Sequence, residues 1–289
     1  MFGRVMTAMV TPFKGGEVNY KEAARIASFL VENGSDSLLV CGSTGENPTM
    51  TKDEKLRLIA TVRETVDVPI MAGTGTFNTR ESVDFTKEVD KLGVDSFLIV
   101  TPYYNKPNQE GLYQHFKAVA ESTDKPIMLY NIPGRSVREI AVDTILRLSR
   151  DVPNIRYLKA ACGNLDNISQ TRRDAPSDFV IYSGDDSLTL PMLSIGAVGV
   201  VSVASAIIGK EINEMIGAFQ NGHTERAKEL HHEWFDVFKD LFCDTNPVPV
   251  KYAMARMGFD TTEVRLPMVE LAEREKGIVD AMLKRHGLV

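Results

Sequence analysis

A lysine at the end of a short apolar stretch is the residue in this sequence that most suggests chemistry. The stretch runs from Ile155 through Tyr157 and Leu158 to Lys159, and its β-branched and aromatic residues predict a buried strand. Burial disfavours the ammonium form of lysine, and a neutral amine can form a Schiff base with a carbonyl compound. The alternative is a strand-end lysine whose ammonium group reaches solvent. Lys159 is therefore a candidate nucleophile, to be weighed with the other polar residues of the chain.

Side chains that could bind or protonate a substrate follow other predicted strands. Ser43 and Thr44 lie in the glycine-rich loop 42–46, which could bind a carboxylate through backbone N–H groups and hydroxyls, or could be only a tight turn. Tyr130 ends a strand, and a phenol near a lysine could serve as a general acid or base. Arg135 follows it and could hold a carboxylate, with a surface ion pair as the alternative.

Two other groups have a less specific pattern. Tyr103 and Tyr104 could relay protons or cover a site, although adjacent tyrosines more often pack at an interface. His231, His232 and Glu233 invite a metal interpretation. They lack the H-E-x-x-H spacing, and adjacent residues of one helix cannot all face one ion. The sequence therefore implies no metal site.

Helix-start signals recur along the chain and define its organisation. Asn19 with Glu22, the capping box Thr51 with Glu54, and Asn78 each precede an amphipathic segment that follows a predicted strand. The unit of strand, loop and helix repeats about every thirty residues, the size of a βα unit. Eight such units predict an α/β fold, a (β/α)8 TIM barrel over residues 1–223. A doubly wound sheet is the weaker alternative, because no G-x-G-x-x-G or Walker loop is present.

The later part of the chain contains only helical patterns, near residues 225–242, 250–257 and 271–286. They predict a C-terminal helical extension of the same domain, residues 224–289. In a barrel of this class, chemistry takes place at the C-terminal ends of the strands. The candidate lysine, hydroxyls, phenols and guanidinium are therefore expected to meet there. Asp185 and Asp186, which follow the seventh strand, are expected to be turn and cap residues.

Composition limits the class of protein. The 289 residues are 43% hydrophobic and 25% charged, with a net charge of −6, which indicates a globular chain and argues against a general nucleic-acid binder. No apolar run reaches membrane-spanning length, so no membrane association is expected. The N-terminus enters a strand without a signal-peptide pattern, and three scattered cysteines do not form a disulfide framework. A cytoplasmic location is expected.

These residues resemble the dihydrodipicolinate synthase family, within the pyruvate-dependent class I aldolase superfamily that includes N-acetylneuraminate lyase. The glycine-hydroxyl loop and the lysine are shared across the superfamily, and the double tyrosine and the arginine are more specific to the synthases. The matching segments span nearly the whole chain in family order: residues 42–46, 101–107, 130–135, Lys159, 183–186, 245–251 and 266–268.

The resemblance implies the reaction. Lys159 forms a Schiff base with pyruvate, and the resulting enamine attacks L-aspartate 4-semialdehyde to give 4-hydroxy-tetrahydrodipicolinate. This hydro-lyase step is the first committed step of diaminopimelate and lysine biosynthesis. No cofactor is implied beyond the covalent Schiff base on Lys159. The alternatives are a related pyruvate-dependent aldolase or lyase acting on a sugar acid, and a non-catalytic barrel that senses a small oxo-acid.

The resemblance also implies the roles of individual residues. Tyr130, Thr44 and Tyr104 form a proton relay, with Tyr104 supplied by a neighbouring subunit, so a homodimer or homotetramer is expected. Arg135 binds the semialdehyde carboxylate, and Ser43 with Thr44 binds the pyruvate carboxylate. Two further positions, Gly184 and the Val201 carbonyl, line the site.

Several positions differ from common family residues. Serine at position 43 keeps the hydroxyl of the usual threonine, whereas Ala160 and Ala206 replace a common glutamate and asparagine and bear on substrate choice or turnover. Lysine inhibits some members. Lysine binds these members in a cleft beside the start of the second helix, the loop after the third strand and Tyr103. The sensitive ones tend to carry histidines at the positions of Lys52 and Lys55, an asparagine at that of Phe77 and a glutamate matching Glu81. Glu81 and Tyr103 remain here, but two ammonium groups near a cationic effector oppose its binding, so weak or absent inhibition is predicted; the alternative is that both lysines point to solvent and the cleft still binds lysine.

Overall fold

The computed structural model describes residues 2–289, and eight of its strands are parallel and form a closed barrel. The strands are β1 (Val5–Ala8), β2 (Phe13–Lys14), β3 (Glu17–Val18), β4 (Ser37–Val40), β5 (Ile70–Gly73), β6 (Ser96–Val100), β7 (Ile127–Asn131), β8 (Ile155–Ala160), β9 (Val180–Ser183) and β10 (Gly199–Ser202). The order around the barrel is β1, β10, β9, β8, β7, β6, β5, β4, and β2 pairs with β3 in a separate antiparallel hairpin. The predicted barrel is confirmed.

Helices follow the barrel strands, and further helices form the predicted C-terminal extension. In chain order the helices are α1 (Tyr20–Glu32), α2 (Lys52–Thr65), α3 (Thr79–Asp90), α4 (Gln109–Ala120), α5 (Pro133–Ser136), α6 (Val142–Asp151), α7 (Leu165–Asp174), α8 (Thr189–Ser194), α9 (Ser205–Gln220), α10 (Thr224–Glu233), α11 (Phe235–Asp240), α12 (Val248–Arg256) and α13 (Glu273–Arg285).

The predicted helix starts are confirmed by their hydrogen bonds. The side chain of Asn19 accepts from the backbone N–H of Glu22, and Asn78 caps α3 in the same way. Thr51 and Glu54 form the complete capping box at α2. These caps satisfy N–H groups that a helix leaves without internal partners.

Two helical predictions differ from the structure. The segment predicted as one helix over 225–242 is two helices, α10 and α11, because Trp234 leaves the helical conformation between them. The helix after the eighth strand, which the sequence predicts over residues 211–219, is α9; it starts at Ser205 and has a break in the helical conformation at Ile208. Its first turn is buried throughout, so no polar face marked it in the sequence. The hairpin β2–β3 and the short helix α5 were not predicted. The domain boundary at residue 223 stays a prediction.

The chain packs as two compact units, each with its own buried side chains. The first contains the described residues up to Pro69 together with Ser202–Val289, in which α9 packs on β1 and α12 packs on α13. The second is Ile70–Val201, with β5 to β9 and the helices α3 to α8. Within residues 2–289, none of the helices combines the length and the apolar composition that crossing a bilayer requires.

Candidate active site

Lys159 lies on β8 directly beside Tyr130 on β7. The two residues are partners in the parallel register, so their side chains point to the same face of the sheet. Both are buried, each with only 5% of its surface exposed. The Lys159 Nζ atom lies 4.2 Å from the centre of the Tyr130 ring. The structure therefore brings together the predicted nucleophile and the predicted phenol.

The surroundings of Lys159 favour its neutral form. Burial is the main cause of a pKa lowered from the ordinary 10.5 to about 7. The nearby Asp186 carboxylate opposes this shift, and the positive charge of Arg135 adds to it. A lysine with a pKa near neutrality has the property expected of a Schiff-base nucleophile.

Gly184 makes room for the lysine side chain. A Cβ atom at this position would lie 3.0 Å from Lys159 Cγ and 2.9 Å from the Ala161 methyl group. Any larger residue would therefore displace Lys159 or its strand. Position 184, which the family resemblance puts in the lining of the site, therefore lies against the candidate nucleophile.

Arg135 is exposed on the short helix α5, which follows β7. The segment is held by the side chain of Asn131. Its Oδ1 atom accepts from the N–H of Ile140 at 3.0 Å, and its Nδ2 atom donates to the Ile140 carbonyl at 3.3 Å. The Ser136 hydroxyl also donates to the carbonyl of Arg138 at 2.7 Å. The guanidinium is thus placed by an ordered loop while remaining accessible to a substrate.

In the first unit, the loop 42–46 has the geometry of an anion-binding turn. Its internal hydrogen bonds use the N–H groups of Gly45 and Glu46, which donate to Gly42 and Ser43 carbonyls at 3.1 Å. The N–H groups of Ser43 and Thr44 have no acceptor among residues 2–289. Successive N–H groups of this kind can bind a carboxylate, which supports the binding interpretation of the loop.

A buried ion pair fixes the end of this loop. Lys251 Nζ on α12 lies 2.5 Å from Glu46 Oε1, and both side chains are fully buried. The second oxygen of Glu46 accepts from the backbone N–H of Arg265 at 3.1 Å. Glu46 itself has a left-handed backbone, with φ of 54°, which is uncommon for a residue with a side chain. The sequence motifs contained both residues, but no pattern signalled that they pair.

Asn246 contacts the predicted catalytic hydroxyl directly. Its side-chain Nδ2 donates to Thr44 Oγ1 at 2.9 Å, and this contact is buried. Asn246 belongs to a segment that resembles the family, yet sequence reasoning gave it no role. Only its position before Pro247 at the start of a helical pattern could have drawn attention to it.

Tyr103 and Tyr104 have different environments. Tyr103 packs edge-on against Phe77, with ring centres 5.2 Å apart. Tyr104 has a left-handed backbone with φ of 68°, and its side chain is 88% exposed. Tyr104 is therefore not buried with Lys159 of its own chain.

The residues after β9 include one that sequence reasoning undervalued. Asp185 accepts from the N–H of Ser187 at 3.0 Å and from its hydroxyl at 2.9 Å, which confirms the predicted turn role. Asp186 is buried, and its carboxylate raises the pKa of Lys159 against the effect of burial. A pair of aspartates after a strand does not indicate such a role. Val201 is buried on β10. It lies two residues after Gly199, which pairs with Tyr182 of β9.

Comparisons with known proteins agree with this geometry. The model of the dihydrodipicolinate synthetase family matches residues 1–286. The 4-hydroxy-tetrahydrodipicolinate synthase of Desulforamulus reducens is 53% identical over 277 residues, covering 95% of this chain and 94% of that protein. The crystal structure of dihydrodipicolinate synthase from Thermotoga maritima has a TM-score of 0.98 at 40% identity, with both chains covered completely. That of the Cyanidioschyzon merolae enzyme with lysine bound also has a TM-score of 0.98, at 44% identity over 100% of this chain and 99% of that one. The chain therefore belongs to the dihydrodipicolinate synthetase family.

Proposed function

We propose that this protein is a Schiff-base-forming lyase that condenses pyruvate with L-aspartate 4-semialdehyde to give 4-hydroxy-tetrahydrodipicolinate. The reaction starts diaminopimelate and lysine biosynthesis and takes place in the cytoplasm. Membership of the family and the names of its close relatives support the choice of reaction. The observation that carries the mechanism is a buried lysine beside a phenol, with the pKa of the lysine lowered to about 7.

The chemistry begins at the Lys159 amine. The neutral amine attacks C2 of pyruvate to give a carbinolamine, which loses water to form the Schiff base. Loss of a proton from the pyruvate methyl group gives an enamine, whose carbon bonds to the aldehyde carbon of the semialdehyde. The semialdehyde amine then attacks the Schiff-base carbon, closes the ring and releases Lys159. No metal or separate cofactor takes part in these steps.

The other residues serve the two substrates. The N–H groups and hydroxyls of Ser43 and Thr44 bind the pyruvate carboxylate, and the Gly184 and Val201 backbone lines the site. Arg135 binds the semialdehyde carboxylate, where its exposed guanidinium can reach an incoming molecule. Tyr130, Thr44 and Tyr104 transfer protons to and from the bound intermediates.

Tyr104 acts in the site of a neighbouring copy, so the active unit is a homodimer, either alone or within a homotetramer. The exposed, strained conformation of Tyr104 supports this role, because it projects a phenol away from its own chain. Mixing the inactive variants Tyr104→Phe and Lys159→Met is expected to restore about a quarter of the activity through mixed dimers. If Tyr104 served its own chain, the mixture would stay inactive.

Covalent trapping tests the proposed nucleophile. Incubation with pyruvate and borohydride is expected to add one reduced pyruvyl unit, which peptide mapping locates at Lys159. Lys251 provides an internal control, since it is also buried but is paired with Glu46. The variant Lys159→Met should remain unlabelled. Labelling at another residue, or no labelling of the native protein, would refute the proposed function.

Substrate comparison separates the alternatives. Turnover of aspartate semialdehyde with pyruvate is expected to exceed cleavage of N-acetylneuraminate or of a related sugar acid. Faster cleavage of the sugar acid would favour the sister lyase. Pyruvate binding without either turnover would favour an oxo-acid sensor, which has no need for a reactive amine.

A further inference from the structure

We propose that Asn246 is a positioning residue that restricts the direction of the Thr44 hydroxyl proton and turns it away from Asn246. The inference rests on the proposed function, because it assumes that Thr44 transfers a proton during the reaction. It adds a residue of the C-terminal part of the chain to the machinery of the site.

The argument starts from the hydrogen bond between the two side chains. Asn246 Nδ2 lies 2.9 Å from Thr44 Oγ1, and the residues are 5% and 4% exposed. An amide N–H group can only donate, whereas a hydroxyl has one proton to donate and two lone pairs that accept. Thr44 Oγ1 therefore accepts from Asn246, and its own proton must point to a different acceptor. The Asn246 donor thereby excludes one of the three staggered positions of the hydroxyl proton and leaves the two that point away from Asn246.

Asn246 is itself held in place by its connection to helix α12. The N–H of Val248 donates to the Thr245 carbonyl at 3.0 Å, and the N–H of Lys251 donates to the Pro247 carbonyl at 3.0 Å. These bonds order the backbone on both sides of Asn246. The donor amide is therefore presented by a rigid element rather than by a mobile loop.

A second contact joins α12 itself to the same loop. Lys251, on α12 and five residues after Asn246, pairs with Glu46, two residues after Thr44. Both partners are fully buried, so neither can exchange its partner for water without leaving the interior. With the helix fixed to the loop at Glu46, the separation of Asn246 from Thr44 is fixed as well. This explains how a single hydrogen bond can control the rotation of the hydroxyl.

The expected kinetic effect follows from this geometry. Without the Asn246 donor, the Thr44 hydroxyl can rotate and donate in unproductive directions, so kcat should fall by roughly tenfold to a hundredfold. The pyruvate carboxylate is bound by the N–H groups and hydroxyls of Ser43 and Thr44, and of these Asn246 contacts only the Thr44 hydroxyl. The KM for pyruvate and its trapping on Lys159 should therefore change little.

A double-mutant cycle tests the inference. Asn246→Asp keeps the shape of the side chain but replaces the donor amide by an acceptor carboxylate, and Thr44→Val removes the hydroxyl. Each single change is expected to lower kcat, and the double variant should be no slower than Thr44→Val, because Asn246 acts only through Thr44. Additive losses, or an unchanged kcat in Asn246→Asp, would overturn the inference.

A control variant separates positioning from stability. Asn213→Ala removes a comparable amide, which donates to the Gly34 carbonyl at 3.1 Å and to Asp36 at 3.2 Å. It is expected to lower the melting temperature while kcat stays unchanged. A loss of kcat in Asn213→Ala as large as that in Asn246→Asp would attribute both effects to general destabilisation and would also overturn the inference.

Trapping of native protein keeps this test distinct from that of the proposed function. Labelling of Lys159 by pyruvate and borohydride, together with an additive cycle, would leave the function standing and remove the role of Asn246. Absence of labelling in the native protein would remove both. Labelling with the non-additive cycle described above supports both.

Discussion

The rate at which Lys159 reacts with pyruvate is expected to rise as the pH is raised through neutrality. The pKa of the amine is lowered from 10.5 to about 7, chiefly by burial. An amine with this pKa is about half neutral at pH 7, whereas a lysine titrating at 10.5 is neutral in roughly one molecule in three thousand. The environment of Lys159 therefore increases the reactive fraction at neutral pH by roughly a thousandfold.

The assay measures the initial rate of pyruvyl adduct formation by intact mass, at low pyruvate and with cyanoborohydride as the reductant. The rate is expected to rise with pH and to level off, with a midpoint near the pKa of about 7. The direction follows from the chemistry, because the nucleophile is the deprotonated form, which accumulates above the pKa. Saturating pyruvate is avoided, since it would hide the titration of the free enzyme.

Two variants test the cause of the shift. Asp186→Asn removes the carboxylate that raises the pKa of Lys159, so the midpoint should move to lower pH. Arg135→Ala removes the cation that lowers the pKa, so the midpoint should move to higher pH, by a smaller amount because Arg135 is exposed. A midpoint near 10 in the native protein, or opposite shifts in the variants, would refute this explanation of the reactivity.

Three other predictions follow from the site and its surroundings. Arg135→Ala is expected to raise the KM for the semialdehyde by roughly tenfold or more, because in the proposed function its guanidinium binds that substrate, while the extent of pyruvate trapping above the pH midpoint of Lys159 stays nearly intact. Lys251→Met should lower the free energy of unfolding, measured in urea, by about 3–5 kcal/mol, since Glu46 would remain buried without its counter-ion. Lysine titrated into the steady-state assay should inhibit weakly or not at all, because the ammonium groups of Lys52 and Lys55 oppose a cationic effector.

Each of these has a clear contrary result. Equal loss of trapping and turnover in Arg135→Ala would assign that residue a structural role. The double variant Lys251→Met with Glu46→Gln should recover part of the lost stability, and no recovery would mean that the ion pair is not the cause. Strong inhibition at sub-millimolar lysine would show that Lys52 and Lys55 do not repel the effector.

Local sequence signals were sufficient to predict the barrel and most of its helices. Alternating strand and helix patterns repeat along the chain, and caps such as Asn19 and Thr51 depend only on residues within one turn. The strand ending in Lys159 was predicted from the same kind of signal, because a run of β-branched and aromatic residues favours a strand wherever it lies. These features are local, so neighbouring residues in the sequence determine them.

Residues far apart in the sequence set the properties of the site, and no local pattern reports them. The pKa of Lys159 depends on burial and on Asp186, which is contributed by a different strand end. The loop at Thr44 is held by Asn246 and by the pairing of Glu46 with Lys251, about two hundred residues later in the chain. Such contacts form only when folding brings distant segments together, and their strength depends on the exclusion of water. The sequence could therefore predict which residues are available for chemistry, while folding decided which of them are buried, paired and oriented.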